Sequence, residues 1–253
     1  MAHATGVRLH NLTLRNAQTG IQLEEAGLAG SILVPGDEIV LERLVVYSLS
    51  GPALSGRELL AQRFFFTGMA PDESGTYLTT KQFAEDIVSQ MAQKGMDLAK
   101  CEGRYMFVDS YAPQSDPSLL DTPTVKYVPS VADFAKLSNA IITTLGDFMG
   151  KGVSRQRLVF DSVDTVLMYV SPAGVYRFLS YLRAKLRGLK AVSMLLLQPD
   201  LHDEKDVRTM LQLADVLMEL DPASGLLTIT QPAEPKLAFR YKITDKGIEI
   251  SKP

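Results

Sequence analysis

Tryptophan is absent from the 253 residues, cysteine occurs once and histidine three times. The lone Cys101 excludes an intrachain disulfide framework and any multi-cysteine zinc or iron–sulfur site. His3, His10 and His202 are too scattered to read as a metal cluster and are expected at the surface. Positive charge is not in excess: 26 Lys and Arg against 29 Asp and Glu leave a net charge of −3. That balance argues against a nucleic-acid partner recognised through bulk positive charge, and against a strongly acidic halophile surface. Long apolar runs are missing as well. Val192–Leu197 is the longest and holds a serine, far short of the roughly 20 residues that cross a bilayer. The first ten residues show no basic start followed by a hydrophobic stretch, so no secretory signal and no membrane partner are expected. The expected location is cytoplasmic.

What the chain does contain is a 46% hydrophobic composition, enough at this length to bury a real core in one α/β domain. From about residue 38, apolar runs alternate with helical patterns, which predicts a mostly parallel sheet flanked by helices. Strands are expected at 44–49, 75–79, 105–109, 157–161, 191–197 and 215–220. Helices are expected at 57–64, from Phe83 to Gly95, from Ser130 to Gly150, at 172–187 and near 205–213. Ser130 is read as an N-cap, with Asp133 three residues on. Residues 112–129 carry four prolines among Ser, Asp and Thr and predict a surface loop. Short runs at 226–230, 237–241 and 247–250 predict an antiparallel edge at the C-terminal end. Residues 1–37 are assigned as an N-terminal segment packed on a single domain of 38–253.

Gly51-Pro-Ala-Leu-Ser55-Gly56-Arg57-Glu58 follows the first of these strands and opens a helix. Two glycines five apart outline a phosphate-binding loop, in which backbone N–H groups and a helix N-terminus surround phosphates. The usual Lys and hydroxyl of such a loop are here Arg57 and Glu58. Arg keeps the charge but not the geometry of an ammonium, and a carboxylate beside a triphosphate repels it. Pro52 also removes one N–H from the cradle. Taken alone, a plain strand-to-helix turn is the better reading of this stretch.

Three further stretches shift that weighting. Arg157-Leu-Val-Phe-Asp161-Ser162 is an apolar strand ending in Asp, the form of a magnesium-ordering Walker B site. Gly75-Thr-Tyr-Leu-Thr79-Thr80-Lys81-Gln82 leads through a helix to Gly95-Met-Asp-Leu98, and Ile243-Thr-Asp-Lys-Gly-Ile248 closes the chain. In this order and spacing the four resemble the RecA superfamily, specifically its KaiC-like branch, over about residues 40–251. The resemblance implies a RecA-like fold with an ATP or ADP site at Gly51, Ser55, Gly56, Arg57 and Glu58. It implies magnesium held at Asp161 and Ser162, and a homo-oligomer or an active relative as partner.

The departures carry more than the matches. The family's water-activating Glu pair falls on Lys81 and Gln82, and a protonated lysine cannot accept a proton. The family's trans-acting cation before the closing motif has no clear counterpart in Thr230–Lys236. Phosphoryl transfer depends almost wholly on positioning and electrostatic stabilisation by such groups. No catalytic residue is therefore expected. The leading expectation is a non-hydrolysing regulatory or scaffolding subunit acting through oligomer interfaces, with Arg57, Glu58, Lys81 and Asp161 forming a charge network where nucleotide and magnesium would sit. An ATP-binding switch and a slow magnesium-dependent ATPase stay open as alternatives.

Other features read more plainly. Phe64-Phe65-Phe66 is core filling, with one ring available for an interface, and Met91 and Met96 fall at core spacing. Arg177, Arg183, Lys185, Arg187 and Lys190 line one helix and its exit, a solvated face that could also meet an acidic partner.

Overall fold

The computed structural model describes residues 46–251 except 68, 70, 71, 190, 232–234 and 246, together with the backbone of four short strands before Val46. Those four are β1 (Arg8–Leu9), β2 (Leu12–Asn16), β3 (Gly30–Leu33) and β4 (Asp37–Leu41), paired antiparallel in the order β1-β2-β4-β3. The expected packing of residues 1–37 on the domain lies outside the described residues.

A ten-stranded sheet forms the body. Its members are β5 (Val46–Ser50), β6 (Glu73–Thr79), β7 (Tyr105–Asp109), β8 (Val125–Tyr127), β9 (Arg155–Asp161), β10 (Ala191–Leu197), β11 (Val216–Asp221), β12 (Leu226–Thr230), β13 (Leu237–Thr244) and β14 (Gly247–Ser251). They lie in the order β14-β13-β12-β11-β5-β10-β9-β6-β7-β8. Pairing is parallel from β11 through β5 to β8 and antiparallel from β11 out to β14. The protein is thus α/β, a mostly parallel sheet with an antiparallel C-terminal edge.

Among the described residues six α-helices cover the sheet: α1 (Arg57–Thr67), α2 (Ala84–Gln93), α3 (Phe134–Gly150), α4 (Val163–Tyr169), α5 (Pro172–Gly188) and α6 (Glu204–Leu211). Alternation along each strand sorts side chains to two faces. Tyr47, Leu49, Tyr77, Phe107, Val159 and Met194 pack with Leu60 and Phe64 of α1 and Ile87 and Met91 of α2. Val46, Leu78, Val108, Leu158, Phe160 and Leu195 pack with α3 to α6. Because both faces are covered, β10 is buried at every position, which is why it reads as an unbroken apolar run. Phe64 and Phe65 are fully buried under α1, each contributing about 1.5–3 kcal/mol by leaving water, and Phe66 packs only partly.

Three local expectations need correction. The cap of α3 is Asp133, whose carboxylate accepts from the Lys136 N–H, while Ser130 Oγ accepts from Ala132 N–H outside the helix. Residues 131 and 132 form a turn, closed by the Asp133 N–H donating to the Ser130 carbonyl, so the helix starts only after it. The 112–129 stretch is not all loop, since Val125–Tyr127 adds parallel to β7 as an edge strand. Three residues are too few to show a period against the surrounding prolines. Helix α4 was not expected either, because its seven residues give under two full turns of pattern.

Candidate functional site

The central strands β5, β10, β9 and β6 are neighbours and parallel, so their C-terminal ends open on one edge of the sheet. Ligands of open α/β sheets bind at that edge, in the turns that leave it. Here the turn after β5 carries Gly51 to Glu58, β9 ends on Asp161, the segment after β6 carries Lys81, and Gln198 follows β10. Thr79 pairs in register with Asp161, which sets Lys81 just beyond the carboxylate.

Four charged side chains meet there. Lys81 Nζ lies 2.9 Å from Glu58 Oε1 and 2.9 Å from Asp161 Oδ1. The same Glu58 oxygen accepts from Arg57 Nε at 3.0 Å. The remaining guanidinium nitrogens fold back onto the protein, Nη1 donating to the Gly51 carbonyl at 2.8 Å and Nη2 to Gln198 Oε1 at 2.7 Å. Asp161 Oδ2 accepts from the Tyr77 hydroxyl at 2.8 Å. Both oxygens of Asp161 are therefore engaged by the protein itself. Two cations and two carboxylates also cancel, so the cluster holds no net charge to attract a magnesium-bound polyphosphate.

The electrostatics follow from burial and pairing. Burial pushes the Glu58 carboxyl up, but Lys81 and then Arg57 together outweigh it, and its pKa falls below the ordinary 4.5. Lys81 is driven down by burial and more than restored by Asp161 and Glu58, ending above 10.5. Asp161, with 1% of its side chain exposed, moves up because burial outweighs Lys81 and the Tyr77 hydrogen bond. Burial and the adjacent Asp161 charge also raise the Tyr77 hydroxyl well above 10, so it stays a donor.

The other anticipated residues divide. Gly56 adopts φ +91° at the start of α1, a backbone that only glycine takes freely, and its space is closed by the Ile243 side chain. Gly51 is hemmed in by Ser55 Oγ and the Leu220 carbonyl. Ser55 Oγ is fully buried and has no hydrogen-bond partner among the described residues. Ser162 turns away from the cluster: its hydroxyl donates to Asp164 Oδ2 at 2.8 Å, and its N–H to Thr80 Oγ1 at 2.9 Å. Gln82 is tied in through its carbonyl, which accepts from Thr79 Oγ1, and its side chain does not join the cluster. Tyr77 and Gln198 belong to the site without having been anticipated. Gln198 had a readable signal, as the residue following a buried strand next to the one that ends in Asp161. Tyr77 had none, because an aromatic in a strand looks like core.

A second buried ion pair stands lower on the same face. Arg157 Nη2 donates to Glu73 Oε2 at 3.1 Å, and Nη1 donates to the Phe64 carbonyl at 2.8 Å, satisfying the last turn of α1. The guanidinium also lies over the Phe64 ring, 5.0 Å from its centroid. This pair holds α1 to the sheet and so fixes the helix that carries Arg57 and Glu58.

Residues 49–220 match the model of a family of unknown function, DUF7504. The chain belongs to DUF7504. The matched span starts within β5 and ends within β11, so it contains the whole charged cluster. Beyond the family match, the chain is 26% identical over 236 residues to the UPF0273 protein PF1931 of Pyrococcus furiosus, covering 86% of this chain and 91% of that one. The UPF0273 protein PH0284 of Pyrococcus horikoshii matches at the same identity and coverage. A UPF0273 protein of Thermotoga maritima is 23% identical, over 86% of this chain and 93% of its own length. Among the described residues of this DUF7504 chain, no helix is long and apolar enough to cross a membrane.

Proposed function

We propose that this DUF7504 chain is a degenerate RecA/KaiC-like P-loop protein that does not hydrolyse ATP and serves in the cytoplasm as a regulatory or scaffolding subunit through oligomer interfaces. The observation that carries the reading is Lys81, set 2.9 Å from both Glu58 and Asp161. A magnesium-dependent ATPase needs the strand-end carboxylate for the metal and its water, and a base near the attacking water. In this chain the carboxylate is bound by Lys81 and Tyr77, and a lysine stands where the base would be. Arg57 is committed to Gly51, Glu58 and Gln198 rather than to an open cradle. The residues present do not fit a bound magnesium in this arrangement.

One observation favours an ATP-binding switch instead. Ser55 Oγ is buried without a partner among the described residues, in the turn that opens α1, where a phosphate oxygen would satisfy it. The two readings separate by calorimetry with a non-hydrolysable ATP analogue and magnesium. The non-hydrolysing scaffold predicts no heat up to millimolar ligand from folded protein. Micromolar binding would overturn it in favour of the switch, and phosphate release above an Asp161→Asn control would establish a slow ATPase.

A further inference from the structure

Helices α3 and α5 lie side by side, with α6 on the far side of α5. Between the first half of α3 and most of the length of α5 runs an open groove of about 720 Å³. Its wall is aromatic: Phe134 and Phe178 stack at 4.3 Å, and Tyr181 is 49% exposed with Lys185 Nζ 5.4 Å from its ring centroid. Its charge is of one sign. Arg177 and Lys185 line it, no Asp or Glu does, and neither cation has an ion-pair partner among the described residues. On α5 the neighbouring Arg183 is already held by Asp215.

The opposite chemistry lies in the turn that leaves β10 and leads into α6, which packs on α5. After β10 the chain runs through Asp200, Leu201, Asp203 and Glu204 into α6, all four exposed, with Leu201 46% accessible. Asp200 and Asp203, which have no ion-pair partner among the described residues, thus flank Leu201 in sequence, and Glu204, paired with Arg208, follows. That is the complement of a groove with two unpaired cations over an aromatic wall. The segment cannot reach its own groove, because α5 stands between them.

We infer that the α3–α5 groove docks the Asp200–Glu204 segment of a second copy of this chain. Leu201 enters beside Tyr181 and Phe178, while the carboxylates meet Arg177 and Lys185. Groove and segment flank the same helix, so one two-fold axis lets each copy fill the other's groove. Such a contact is isologous and closes as a dimer. It also reaches the charged cluster, since Gln198, which accepts from Arg57, begins the turn that carries Asp200. The inference rests on the interface role proposed above and is independent of whether nucleotide binds.

Charge reversal on both sides tests it by sedimentation velocity, with circular dichroism to verify folding. The full chain is expected to dimerise at low salt. Arg177→Glu with Lys185→Glu, and separately Asp200→Lys with Asp203→Lys, are each expected to weaken the dimer by roughly a hundredfold, because like charges then face each other. Mixing the two variants restores both contacts and so restores a dimer. Leu201→Ser, which alters no charge, is expected to weaken the dimer by roughly tenfold through lost apolar contact. A dimer indifferent to all three variants, or a mixture that stays monomeric, overturns this surface while leaving the interface role standing. A wild-type chain that is monomeric up to roughly 100 μM overturns the inference and the homo-oligomer reading together.

Discussion

Lys81 Nζ stands 2.9 Å from Oδ1 of Asp161, a carboxylate with only 1% of its side chain exposed. Neither ion is stable there alone. Asp161 lies at the end of a strand buried on both faces, and Lys81 gives it a charge partner that water cannot replace. In return Asp161 and Glu58 keep Lys81 protonated. The pair therefore acts as a unit, and the state of one member dictates that of the other.

Lys81→Met should leave Asp161 buried and uncompensated. Breaking a buried pair from one side costs about 3–5 kcal/mol, and Tyr77 offsets a part of that by its hydrogen bond. Urea denaturation should show a lower midpoint at unchanged slope. Adding Asp161→Asn removes the stranded charge, so the double variant should recover most of the loss. A double variant as unstable as the sum of both singles would mean that the two ions are not coupled.

The pH dependence follows from Glu58. Its folded pKa is below the ordinary 4.5, so it contributes stability that is present above 4.5 and is lost as pH falls through the folded value. Asp161 works in the other direction, because its folded pKa is raised and protonation on acidification favours the fold. Unfolding free energies of the wild type and Glu58→Gln should differ most near neutrality. The gap should close below pH 4.5. A gap that is constant across that window would show that Glu58 gains nothing from Lys81 and Arg57.

Arg157 should prove as important to stability as any apolar core residue. Arg157→Met takes away the partner of Glu73, which is 1% exposed, and leaves the Phe64 carbonyl in the last turn of α1 without its donor. Arg155 Nε remains 3.3 Å from Glu73, so the expected loss is about 3 kcal/mol, the low end for a broken buried pair. Combining it with Glu73→Gln should restore part of this. Thermal unfolding monitored by circular dichroism measures both.

The fold was largely legible because central strands such as β10 are buried on both faces and so read as short apolar blocks between helical patterns. Ala191–Leu197 and Tyr105–Asp109 have the boundaries expected from sequence. Legibility fails where an element is too short to show a period, as in Val125–Tyr127 and Val163–Tyr169. At the site, Arg57 and Glu58 were recognisable as residues out of place in a phosphate loop, Lys81 as a cation where the resemblance puts a carboxylate, and Asp161 as the acid that ends its strand; their meeting follows from strand order. Gln198 could have been found as the residue that follows a buried strand, whereas Tyr77 was hidden because its role depends on which strands are neighbours. Nothing local in a sequence separates a tyrosine that fills a core from one that also holds a carboxylate.

Gly51 is the place where the loop after β5 tolerates no side chain. A Cβ there would lie 2.6 Å from Ser55 Oγ and 2.9 Å from the Leu220 carbonyl. The serine can be shortened, but the carbonyl belongs to β11 and is held in the sheet, so it cannot give way. Gly51→Ala should therefore cost about 1–3 kcal/mol, in the range of overpacking a closed site. Adding Ser55→Gly should recover only part of that, since the backbone clash persists. Gly146 supplies the contrast. It lies within α3, is exposed, and a Cβ there would meet nothing within 4 Å. Gly146→Ala should raise stability by about 0.5–1 kcal/mol through helix propensity alone. If Gly51→Ala were as benign as Gly146→Ala in the same urea titration, the turn would be free to relax, and the close packing of the cradle would not be what holds Arg57 against Gly51.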